Sequence, residues 1–158
     1  MSVSELSDYS VCAVLLIRRD AVFVLDVFRQ QLEYPDLRRK VLDLYTHWRQ
    51  VSPNALLLIE NKGSGMSLIQ ELRGMNVYPI AVDPNGDKIM RMHGQTARIE
   101  AGAVFLPIRA PWLDEFRKEI LSFPHGRHDD QIDALSQGLH RAFGHRVPVA
   151  ATGRYAIS

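Results

Sequence analysis

Ala55-Leu56-Leu57-Leu58-Ile59 is an unbroken apolar run that stops at an acid, Glu60, and then passes through Asn61 and the turn Lys62-Gly63-Ser64-Gly65 into a helical pattern of Met66, Leu68, Ile69 and Leu72. A short all-apolar run bounded by turn residues is the signature of a strand buried on both faces, which calls for helices packed against the sheet. The expected class is therefore α/β, with a mixed sheet and helices on its faces. Glu60 stands where ligands gather in such folds, at the carboxyl end of a strand beside a turn. An acid there is either a side chain reaching solvent or a placed functional group, and the run alone leaves both open. The glycines serve equally as ordinary loop chemistry or as a weak anion nest.

The rest of the chain supplies the other layers. Ser10 to Ile17 and Ala21 to Phe28 are β-rich runs separated by Arg18-Arg19-Asp20, which predicts a hairpin. Leu37, Val41, Leu44, Tyr45 and Trp48 share a helical face that starts at Pro35 or Asp36. Val77 to Val82 is expected as a short strand, Asp87 to Glu100 as a polar helix, Ala103 to Leu106 as a short strand and Pro111 to Leu121 as a helix. Gly144 to Ser158 is expected to be a flexible tail.

A second acidic stretch follows. In His128-Asp129-Asp130-Gln131-Ile132-Asp133, three acids open a run whose Ile132, Leu135, Leu139 and Phe143 recur at helical spacing, so a helix is expected from Asp129 or Asp130. All three carboxylates then lie on one side of its first turn. Acids at a helix start cap free N–H groups and complement the dipole, and one suffices for that. Three adjacent acids repel one another unless a cation sits between them, and carboxylate oxygens are the ligands Mg²⁺ and Mn²⁺ prefer. His125 and His128 flank the stretch, where a solvated turn histidine and a proton carrier are the two readings.

With 158 residues and a formal net charge of +1, the chain is expected to be one domain without a strong overall field, so any basic surface must be local. The single cysteine, Cys12, lies in an apolar run and is expected in the core rather than as a nucleophile. No apolar stretch is long enough for a membrane span, the first ten residues do not resemble a signal peptide, and no Gly-x-x-x-x-Gly-Lys-Ser/Thr loop for a nucleotide phosphate occurs.

Taken together, Ser7 to Val11, Leu32 to Leu37, Ile59 to Gly65, Gly86-Asp87-Lys88 with Arg91, and Phe123-Pro124 with His128 to Ala134 resemble the C-terminal nuclease domain of tailed-bacteriophage terminase large subunits. The resemblance runs from about residue 7 to 143 and implies an RNase H-like fold. It implies an endonuclease that cuts concatemeric phage DNA during packaging, through a site of two Mg²⁺ or Mn²⁺ ions. In such a site one ion activates water and the other stabilises the leaving 3′ oxygen. By this resemblance Glu60, Asp129 and Asp130 are the expected metal ligands, with Asp133 a further acid of the catalytic set. Lys62, Lys88 and Arg91 are expected on the DNA backbone. The implied partners are double-stranded DNA and, in the full-length family, an ATPase domain, the small terminase subunit and the portal, all in the bacterial host cytoplasm.

One departure stands out. The family's first strand carries an Asp upstream of the part that matches Asp8-Tyr9-Ser10, and this sequence does not contain it. The chain is thus expected to be an excised domain or a prophage remnant. A gap is expected between its hairpin and its parallel strands, filled by the N-terminal residues, by another copy of the chain or by a rearranged sheet. The rival functional reading is a catalytically inactive fragment that binds DNA or packaging proteins. A blander third is an α/β domain whose acids only cap a helix.

Overall fold

The computed structural model describes residues 9–84 and 88–144. In these, strands β1 (Tyr9–Arg18) and β2 (Ala21–Gln31) form the expected hairpin, closed by Arg19 at φ 55°. They are followed by α1 (Tyr34–Val51), β3 (Leu58–Glu60), α2 (Ser64–Gly74), β4 (Ile80–Val82), α3 (Lys88–Glu100), β5 (Val104–Phe105), α4 (Leu113–Ser122) and α5 (Asp130–Gly144). The class is α/β with mixed strand pairing and five helices, as expected. Of the C-terminal tail expected over residues 144–158, Gly144 is instead the last residue of α5, and 145–158 lie outside the described residues, as does Asp8.

The core is built on β2. Val22, Val24 and Val27 pack with Phe116 of α4 and with Leu135 and Leu139 of α5, all essentially buried. Strict alternation along a strand would put residue 26 beside the core rather than Val27. A bulge in the hairpin resolves this: Val14 pairs with Asp26 and Leu15 with Val24, so Leu25 is the extra residue and the parity shifts by one. Leu25 is accordingly exposed.

Helix α5 lies across β1 and β2, with α3 and α4 against it. The approach to β1 is close at Gly138, where an added Cβ would stand 2.4 Å from Leu15 Cδ1. Ile132, Leu135 and Leu139 are the buried apolar residues of α5, on the spacing that predicted the helix.

The apolar run at 55–59 departs from expectation. Only Leu58 and Ile59, with Glu60, form strand, and none of the run is fully buried; Leu56 is 65% exposed. The reason is pairing. The parallel partner β4 spans only three residues, Ile80–Val82, and among the described residues β3 bonds to no other strand. The hydrogen-bonded strands form two groups, β1-β2-β5 and β3-β4. Among the described residues no strand lies on the outer edge of β1 or links it to β3, where a gap was expected. Helix α5 joins the two groups, touching Leu15 of β1 through Gly138 and Glu60 of β3 through Gln137.

Candidate active site

Two chain segments supply the candidate residues, linked through Gln137 of α5 and Glu60 of β3. The first is the end of β3. Asn61 N–H donates to Val82 O at 2.8 Å, holding the strand end to β4, and Gly63 then turns the chain at φ 54°. The next glycine, Gly65, lets the first turn of α2 come against the strand: a Cβ there would stand 2.1 Å from the Glu60 carbonyl oxygen. The Lys-Gly-Ser-Gly turn therefore serves to bring a helix onto the back of Glu60. Glu60 is half-buried and accepts a hydrogen bond from Gln137 Nε2 at 3.2 Å, while Lys62 is exposed.

The second segment is the start of α5. The Asp129 carbonyl accepts the first helical bond, from Asp133 N–H at 2.9 Å, so Asp129 is the capping position and Asp130 the first helical residue. The two N–H groups that a capping side chain ordinarily serves are those of Gln131 and Ile132. Both donate to Glu119 Oε1 of α4, at 2.7 and 3.1 Å, and Gln131 Nε2 donates to Glu119 Oε2. Glu119 is only 6% exposed. A distant acid thus does the work that the bland reading gave to the local ones.

Asp133 is held from the side. Arg91 of α3 donates through Nη2 to Asp133 Oδ1 at 2.9 Å and through Nε to Ser136 Oγ at 3.0 Å, and Ser136 Oγ donates to the Asp133 carbonyl at 3.0 Å. The side chains of this ion pair are 13% and 16% exposed, so the bonds are charge-assisted and largely out of water. Arg91, expected on the DNA backbone, points into the protein, towards α5. Lys88 begins α3.

Asp130, Asp133 and Gln137 lie on one face of α5, and Gln137 connects that face to Glu60. Asp129 and Asp130 are half-buried. The oxygen chemistry of this set suits Mg²⁺ or Mn²⁺. The arrangement does not complete a site: among the described residues, no three His, Cys, Asp or Glu side chains are grouped so as to hold an ion. His125 and His128 are exposed, and His128 stands edge-on to Tyr9 with ring centroids 5.5 Å apart.

Sequence reasoning missed Glu119, Gln137 and Ser136. The signal for Glu119 was available, because it falls on the same helical stripe as Leu113 and Phe116, where an acid needs a partner. Gln137 and Ser136 carried no comparable signal.

An α/β fold in which the acid at the end of β3 is hydrogen-bonded to a helix that opens on acids fits one class, the RNase H-like domains. The family model described as the terminase RNaseH-like domain matches residues 2–142, and the chain belongs to that family as a terminase nuclease domain. None of the curated proteins compared matches it. Among the described residues no helix is long and apolar enough to cross a membrane.

Proposed function

We propose that the chain is the DNA-cutting domain of a phage or prophage terminase large subunit, a Mg²⁺- or Mn²⁺-dependent endonuclease that hydrolyses phosphodiesters of concatemeric double-stranded DNA for packaging. The observation that carries the reading is the Gln137–Glu60 hydrogen bond, which ties the acid at the end of β3 to the helix that begins at Asp129-Asp130. Glu60, Asp129 and Asp130 are the metal ligands in this proposal. Asp133, clamped by Arg91, orients the first turn of α5. The described acids need a further donor to hold ions, from the DNA phosphate or from chain outside the described residues. Lys62 and Lys88 are assigned to the DNA backbone, and Arg91 to Asp133. An ATPase domain, a small terminase subunit and a portal in the bacterial cytoplasm are the partners the family assignment suggests.

A second reading has its own observation. The lack of a three-donor cluster among the described residues favours a chain that binds DNA or packaging proteins without cutting. Nicking of supercoiled plasmid in Mn²⁺ separates the two. Nicking abolished by chelator and by Glu60→Ala supports the nuclease; salt-sensitive DNA binding with no metal-dependent nicking supports the inactive binder.

A further inference from the structure

A cleft of about 210 Å³ lies between β2, α4 and the turn before α5. Its walls include Arg29, Lys118, Arg127 and His128, with Glu115 and Glu119 as the acids. Three cations face two carboxylates; Glu115 pairs with Lys118 within the lining, and Glu119 is held by α5, which leaves Arg29 and Arg127 as the cations not paired to a lining acid. Glu115 lies 3.1 Å from Lys118 at the rim, where both side chains are exposed. Arg29 is the fixed element. Its guanidinium carbon stacks 3.6 Å from the centroid of the Tyr9 ring, whose edge contact with His128 ties the cleft to the turn before Asp129. Arg29 Nε is buried with no hydrogen-bond partner. A buried guanidinium N–H left unpaired is costly, and the Arg29 side chain that carries it lines the cleft. The volume is below the ~300–1,000 Å³ typical of organic-ligand pockets and suits a group of phosphate size.

We propose that this cleft is a subsite for a phosphodiester of the DNA strand, next to the phosphate presented to Asp129 and Asp130, with Arg29 and Arg127 as its anion-binding side chains. This rests on DNA being the substrate, as proposed above. In this proposal the planar guanidinium of Arg29, stacked on Tyr9, binds phosphate oxygens, while the exposed Arg127 adds charge. The subsite places the strand without reading its sequence.

The test is binding of a fluorescein-labelled duplex by the full chain in EDTA, by anisotropy across a KCl series. Arg29→Gln and Arg127→Gln are each expected to weaken binding about threefold to tenfold and to lower the log–log salt slope by about one. Arg39→Gln, on an exposed arginine of α1, should change neither. Because Arg127 is exposed, its variant reads the subsite even if Arg29→Gln unfolds. Unchanged affinity and slope in Arg127→Gln and in any folded Arg29→Gln, or no DNA binding by the parent chain, overturns the proposal. So does saturable binding of inorganic phosphate at constant ionic strength that leaves duplex affinity untouched, which marks a free-anion site. Because the assay contains no metal, loss of plasmid nicking leaves its result unaffected, and the subsite and the nuclease reading fail separately.

Discussion

Glu119→Ala removes the acceptor for two buried backbone N–H groups at the start of α5. Each buried donor left without a partner costs about 1–3 kcal/mol, and loss of a cap alone typically costs about 1 kcal/mol. The carboxylate also sits at the positive end of the helix dipole, worth up to ~2 kcal/mol when partly buried. These terms overlap, and water entering the space left by Glu119 satisfies part of the loss. An overall destabilisation of about 3 kcal/mol follows, a large share of the ~5–15 kcal/mol typical of a domain. Urea unfolding followed by circular dichroism measures it, as a fall in midpoint at constant slope. Amide hydrogen exchange places it: protection should fall first at Gln131 and Ile132. Glu119→Gln keeps one carbonyl oxygen for the backbone but sets an NH₂ against Gln131 Nε2, so it should recover less than half of the loss. A Glu119→Ala loss below about 1 kcal/mol, or one with unchanged exchange at Gln131 and Ile132, would refute the remote-cap reasoning.

Three further outcomes are expected. Arg91→Met removes the guanidinium that pairs with a mostly buried Asp133 and should cost about 2–4 kcal/mol in urea unfolding, whereas Asp133→Asn, which keeps an acceptor, should cost less. Gly65→Ala drives a Cβ into the Glu60 carbonyl, a backbone atom, and should cost about 2–4 kcal/mol; Gly138→Ala meets only the end of Leu15, which can rotate, and gains helix propensity, so it should stay within about 1 kcal/mol. Burial, and then the nearby Asp26, raise the Cys12 thiol from 9.0 to about 11. The folded state holds this proton more tightly than the unfolded one, so stability is full below pH 9 and lost as pH rises to about 11, by about 2 kcal/mol; Cys12→Ala should lose less over that window.

What could be seen in the sequence was what local pattern specifies. The hairpin, five helices and the start of α5 follow from periodicity and turn chemistry within short windows. Glu60 was legible as a strand-end acid because the apolar run broke there. The length of β3 was not, since it is set by a partner strand of three residues more than a dozen positions away. Arg91 illustrates the same limit. Its helix position suggested a solvated or phosphate-facing side chain, yet its partners Asp133 and Ser136 lie 42 and 45 residues on, and only the packing of α3 against α5 brings them within reach. Glu119 stood in an apolar stripe, but its partner could be named only once α4 was placed beside α5.

In the proposed nuclease, Glu60 and the Asp129-Asp130 pair belong to one site although they lie on different elements. Titrating Mn²⁺ into the isotope-labelled chain with duplex DNA present, and following paramagnetic broadening of the backbone amides, tests it directly. Amides around Glu60 and around Asp129-Asp130 are expected to broaden together at the same Mn²⁺ concentration, and Glu60→Ala to weaken the effect at both. Broadening confined to one segment, or broadening at Asp129-Asp130 that Glu60→Ala leaves unchanged, would contradict the single site.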